Sequence, residues 1–91
     1  MKEKIRSYRL EVVTPDKTVL NTDVVFTVIK SGAGPVGIMP EHAPLLGTVD
    51  TGVLSYRDME RCDHQVNMGP GFFMISSDGV SIVARSAELV S

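Results

Sequence analysis

His42 is the side chain that most invites a catalytic reading, because an imidazole can take or give a proton near neutral pH. A histidine base needs a nucleophile to activate and a third group to orient it. The sequence contains no G-x-S-x-G elbow, and its sole cysteine, Cys62, lies in a charged stretch. Bracketed by Pro40 and Pro44, His42 reads instead as a loop histidine that hydrogen-bonds an irregular backbone. Cys62-Asp63-His64, with Asp58 and Glu60 close by, has ligand types found in metal sites. Cys62 and His64 would share one side of an extended strand. Two soft ligands fall short of the four a structural zinc takes, so this segment reads as a solvated hairpin tip. Gly32, Gly34 and Gly37 match a phosphate loop only in their density, since no helix follows to supply a dipole and free amides. They read as a turn that lets backbone come close to a neighbour, an approach a partner could also use. The expectation is no catalytic residue, no metal and no cofactor.

The elements around these residues read as β throughout. In Tyr8-Arg9-Leu10-Glu11-Val12 apolar and charged side chains alternate with period two, the mark of a strand with one wet face. Thr14-Pro15-Asp16-Lys17 carries the proline and aspartate of a turn. Asp23 to Lys30 is β-branched and apolar on both faces, which predicts a strand covered on both sides. Ser31-Gly32-Ala33-Gly34-Pro35 breaks it, and Val36 to Met39 follows as a short strand. Leu45–Val49, Val53–Arg57 and Gln65–Met68 are further strands, with Asp50-Thr51-Gly52 and the charged tip Asp58–Asp63 between them. Phe72–Ser76 and Val80–Arg85 flank Ser77-Asp78-Gly79, and Asp-Gly between alternating runs is a hairpin signal. Met39, Met68 and Met74 fall inside strand-like runs and read as core filler, one of them a candidate for an apolar contact with a partner. Turns every eight to twelve residues, with no sustained helical period, predict an all-β single-domain β-sandwich of about ten short, mostly antiparallel strands over residues 1–91.

Composition removes several function classes. Lys+Arg 9 against Asp+Glu 11 leaves a net charge of -2 with no basic block, which argues against nucleic acid as a partner. No run approaches the ~20 apolar residues of a membrane-spanning helix, so no direct membrane insertion is expected. Met1 to Leu10 carries four positive charges, one negative charge and no apolar centre, unlike a secretory signal. A single cysteine fits a reducing compartment.

The segment Gly37-Ile38-Met39-Pro40-Glu41-His42-Ala43-Pro44-Leu45-Leu46 resembles the G-I-x-P-x-H-A-P-L-L run of ATP synthase epsilon subunits. Tyr8 to Pro15 is similar to that family's opening strand, and Asp50-Thr51-Gly52-Val53-Leu54 to its P-G-hydrophobic turn. Gly69-Pro70-Gly71-Phe72-Phe73 stands where the family has G-G-hydrophobic, and Val80 to Ala84 resembles its last strand. The resemblance runs collinearly over about residues 6 to 88. It implies a non-catalytic rotor subunit that couples the gamma subunit to the membrane c-ring during ion-driven ATP synthesis. It implies a peripheral position on the cytoplasmic face of the inner membrane. Thr14, His42 and Gly47 match the family's gamma-facing positions; Ala33, Gly34, Pro35 and Val36 match its ring-facing turn. That turn lacks the carboxylates many members carry, which implies a contact made by shape and backbone. Val25, Ile29 or their neighbours are expected to be left exposed and covered by gamma. Members of standard length continue into two C-terminal helices that restrain hydrolysis, and a chain ending at Ser91 is expected to couple without that brake. The alternative is a free-standing ligand-binding β-sandwich, such as a carbohydrate module, which would present exposed aromatic rings. With no Trp and only Tyr8 and Tyr56, the sequence offers that reading little.

Overall fold

The fourteen residues Thr18–Ser31 form one strand that belongs to both layers of the fold. The computed structural model describes residues 6–90. The expected domain limits at 1 and 91, and the first half of the charged opening segment, lie outside the described residues. In chain order the strands are β1 (Tyr8–Val13), β2 (Thr18–Ser31), β3 (Gly34–Ile38), β4 (Leu45–Val49) and β5 (Gly52–Asp58). Then come β6 (Asp63–Met68), β7 (Gly71–Ser76), β8 (Gly79–Ala84) and β9 (Ala87–Leu89). The described residues include no helix. Hydrogen bonding runs continuously in the order β4-β7-β8-β1-β2-β5-β6-β9, with β3 also on β2. All pairings are antiparallel except β1 with β8.

Continuity of pairing and a two-layered sandwich are reconciled at β2. Its first half, Thr18 to Val24, pairs with β1, and its second half pairs with β3 and β5. Between Val24 and Phe26 the register shifts by an extra residue, as in a β-bulge. Because side chains alternate with period two, that extra residue exchanges inward and outward faces. Val24 is buried before the shift, while Thr27 and Ile29 are buried after it. The both-faces apolar pattern of Asp23–Lys30 therefore records a change of layer, not a strand covered twice. Ile29 is fully buried and Val25 half-buried, so the expected exposure of these residues is corrected.

The core draws Leu10 and Val12 from β1, Phe73 and Ile75 from β7, and Val80 and Ile82 from β8. Facing contributions come from Ile29, Ile38, Leu54 and Val66 in the other layer. Of the three methionines read as core filler only Met68 is buried; Met39 and Met74 are exposed. The hairpin joining β7 to β8 closes on the pair Ser76 with Gly79. Gly79 has φ +135, and a Cβ there would run into the Arg9 carbonyl of β1. A residue without a side chain is what lets β8 lie parallel to β1 at this point.

Candidate functional site

The loop between β3 and β4, Met39 to Pro44, is built on a few polar contacts. Glu41 takes φ 67, a left-handed conformation that tightens the turn. The His42 amide donates to the Met39 carbonyl at 3.2 Å, and His42 Nδ1 donates to the Ala43 carbonyl at 2.7 Å. Arg6 pairs with the Glu41 carboxylate across the loop's outer side. Beneath it, the Tyr8 hydroxyl reaches Thr27 Oγ1 at 2.6 Å and the Ile38 carbonyl at 3.0 Å. Burial pushes the Tyr8 phenol up to about 12. A cleft of about 350 Å³ separates the loop from the Ser76–Val80 hairpin and has Tyr8 and Ile38 in its wall. Both His42 hydrogen bonds go to backbone of its own loop, the role read for it from sequence.

The charged tip between β5 and β6 is a turn organised by Asp58. One carboxylate oxygen accepts from the amides of Glu60 and Cys62, at 2.8 and 3.0 Å. The other meets His64 Nε2 at 2.7 Å, and the His64 ring stacks on Tyr56 with centroids 4.9 Å apart. The hydrogen bond to His64, then those from the backbone, hold the Asp58 carboxyl below the usual carboxylate range. Arg57 does the same for Asp63, at 2.9 Å. His64 is thus committed to Asp58, and no three His, Cys, Asp or Glu side chains converge as metal ligands among the described residues.

The residues matched to partner-facing positions divide into exposed and structural ones. His42 is half-buried at the loop. Gly47 lies in mid-β4 opposite Phe73, and a Cβ there would strike the Phe73 ring. Thr14 is buried; its amide and hydroxyl both donate to the Lys17 carbonyl and so close the β1–β2 turn. Pro15 next to it shares a shallow trough with Thr48 and Asp50. Gly47 lies in β4 and the His42 loop leads into it, while Thr14 approaches it only through Pro15, in the trough at the far end of the strand. Ala33 sits in a two-residue hairpin loop, while Gly34, Pro35 and Val36 form the start of β3 rather than a turn.

The sequence reading missed an exposed apolar surface that the strand pairings assemble. Outward-pointing residues of β4, β7 and β8 line up by register: Leu46 beside Met74, Phe72 beside Val83, and Val83 beside Val13 of β1. Leu46 is 74% exposed, Phe72 69% and Val83 58%. Contiguous apolar surface of this kind marks an interaction face, and the trough of Pro15, Pro70, Phe72 and Val83 continues it. Its signal was present in Phe72-Phe73-Met74-Ile75, where both parities of a strand are apolar. Such a run has too many apolar groups for one buried face.

The sequence model of the ATP synthase delta/epsilon chain β-sandwich domain matches residues 7–90. The ATP synthase epsilon chain of Moorella thermoacetica is 35% identical over 82 residues, covering 90% of this chain and 61% of that protein. The epsilon chain of Carboxydothermus hydrogenoformans is 38% identical over 88 residues, covering 97% of this chain and 63% of that one. The chain thus spans about three fifths of the length of these curated relatives. Among solved structures, a chain of the Euglena gracilis mitochondrial ATP synthase, comprising OSCP, F1 and c-ring, superposes with a TM-score of 0.87 at 19% identity. That match covers 97% of this chain and 56% of that one. A chain of the Tetrahymena thermophila ATP synthase central stalk and c-ring superposes at 0.74 with 18% identity, covering 93% and 68%. Both likenesses speak to the fold, a β-sandwich of the same architecture.

Proposed function

We propose, since this chain belongs to the family of ATP synthase delta/epsilon β-sandwich domains, that it is a central-stalk subunit coupling the gamma subunit to the c-ring in ion-driven ATP synthesis. The observation that carries this reading is the apolar stripe of Leu46, Phe72, Met74 and Val83 beside the Met39–Pro44 loop. A coupling element transmits torque only if it is itself rigid and is held on two sides. The continuous sheet, with its core drawn from both layers, supports the first requirement. The stripe and the loop supply one side, the gamma contact, with His42 meeting the partner directly. Gly47 acts there by seating Phe73 and so setting the outward pose of neighbouring Leu46, and Thr14 by shaping the turn that presents Pro15. The tip formed by Ala33, Gly34, Pro35 and Val36 supplies the second side, toward the ring, through shape and backbone. The chain carries no bond chemistry of its own and works at the cytoplasmic face of the inner membrane as a peripheral part of the complex.

A ligand-binding sandwich would need an exposed platform of several aromatic rings, but Phe72 stands exposed among non-aromatic side chains, Tyr56 is buried and the Tyr8 hydroxyl is committed to Thr27 and Ile38. The test is association with purified gamma subunit, followed by the amide spectrum of this chain. Signals of Leu46, His42 and Phe72 should shift on addition of gamma. Shifts confined to the β5–β6 turn, or none at all, would refute the placement.

A further inference from the structure

Three strands meet at the mouth of the Met39–Pro44 loop through one hydroxyl. Ile38, the last residue of β3, pairs directly with Thr27 of β2. The Tyr8 hydroxyl of β1 sits over that rung, 2.6 Å from Thr27 Oγ1 and 3.0 Å from the Ile38 carbonyl. Thr27 is fully buried and Ile38 nearly so, which fixes both partners in place. Beyond this rung, the described residues offer the loop little to pin it to the sandwich. Its backbone bond, His42 to Met39, and its ring bond, His42 to Ala43, are internal to the loop. The Arg6–Glu41 pair is exposed on both partners, so solvent screens it. Met39 points outward at 63% exposure, and the cleft stands where hydrophobic packing would otherwise hold the loop against the Ser76–Val80 hairpin.

We infer that Tyr8 is a positioning residue whose hydroxyl clips Ile38 to Thr27 and thereby sets the pose in which the Met39–Pro44 loop is offered to the stalk partner. The partner half of this inference rests on the function proposed above; the clip itself does not. Two oxygens compete for one phenolic proton. The arrangement is satisfied when Tyr8 donates to the carbonyl and the Thr27 hydroxyl donates to the Tyr8 oxygen, or when Tyr8 donates to Thr27 and the carbonyl is left as the weaker contact. In either case the rung is held by a group that stays protonated in ordinary buffers, since burial raises its ionisation to about 12.

The experiment compares the full chain with Tyr8→Phe, which keeps the ring and removes only the hydroxyl. Amide hydrogen exchange is followed residue by residue, and affinity for gamma is measured in parallel. Exchange at His42, whose amide is bonded to the Met39 carbonyl, should quicken roughly tenfold or more, with Phe73 and Ile82 changing less than about twofold, because only the loop opens locally. Affinity for gamma should fall about tenfold, mainly through faster dissociation. Uniform quickening across β7 and β8 would mean that Tyr8 is an ordinary core residue and would overturn the inference, as would an unchanged loop. A quickened loop with unchanged gamma binding would uphold the clip and refute the loop as a docking element. Should Tyr8→Phe not fold, Thr27→Val removes the facing hydroxyl at nearly equal shape and leaves Tyr8 only the Ile38 carbonyl, so exchange at His42 should quicken by less, about threefold, and an unchanged His42 would overturn the inference. In the unsubstituted protein, the Tyr8 hydroxyl proton should be slow enough in exchange to show contacts to Thr27; a rapidly exchanging one would also overturn the inference.

Discussion

Gly47→Ala is a small change whose consequence can be worked out from the packing. A Cβ at position 47 would fall inside contact distance of the Phe73 ring edge, on the strand hydrogen-bonded to β4. Phe73 is 2% exposed and belongs to the core, so the ring can yield only by pressing into its neighbours. Overpacking of this kind costs about 1–3 kcal/mol. Replacing glycine with alanine also narrows the unfolded ensemble, which returns about 0.4–1 kcal/mol. The balance is a destabilisation of about 1–2 kcal/mol, equivalent to a fall of roughly 5–15 °C in Tm for a domain of this size. Gly37→Ala is the control: its Cβ would sit 3.6 Å from the Phe26 ring, an ordinary contact, and Tm should move by no more than a few degrees. The assay is thermal unfolding of both variants, and of Gly47→Ala combined with Phe73→Leu. The smaller side chain should relieve the clash, giving a coupling of about 0.5–1 kcal/mol or more between the two sites. An unchanged Tm for Gly47→Ala, or strict additivity in the pair, would refute the account of Gly47 as the seat of Phe73.

Phe72→Ala should leave the isolated domain about as stable as before, since the ring is 69% exposed, yet weaken association with gamma by about 1–2 kcal/mol, a factor of roughly 5–30 in Kd. Titration calorimetry checks this, and an equal loss of stability and affinity would contradict it. Gly79→Ala should destabilise more than Gly47→Ala, because the new Cβ meets backbone at a positive φ; denaturant midpoints rank the two. The β5–β6 turn should loosen in acid. Asp58 and Asp63 have carboxyls depressed on folding, so their contribution is full above the unfolded carboxylate range near pH 4 and is lost as pH falls through the lower folded values. Exchange at the Cys62 amide should rise below about pH 4 before the β7 and β8 amides respond, and simultaneous change would contradict it.

Sequence pattern was most informative where one strand has one wet face. β1 follows from alternation, the β7–β8 hairpin from Asp-Gly, and the loop around His42 from its two prolines. It was least informative where tertiary context changes the rule. The first five residues of β2, Thr18 to Thr22, do not alternate cleanly, and the bulge after Val24 makes one strand look apolar on both faces. β9 is three residues long and is stabilised by pairing with β6, which no local pattern announces. Around the candidate site, the loop position of His42 and the hairpin at Ala33 were legible in the sequence. It did not foresee that Thr14 turns inward, that the strand of Val36 begins already at Gly34 and Pro35, or that Leu46, Phe72 and Val83 align across three strands. Alignment across strands is a property of register, and register depends on pairings that are distant in sequence.

The central claim is mechanical coupling, and ion-driven ATP synthesis tests it most directly. ATP synthase from the same source, stripped of its resident epsilon subunit and reconstituted into vesicles, would be given this chain and an imposed ion gradient. Synthesis should return on addition of the chain, and it should return substantially less with Phe72→Ala and Leu46→Ala combined at equal concentration. Synthesis that is indifferent to the chain, while the chain remains folded and the enzyme still hydrolyses ATP, would contradict the account.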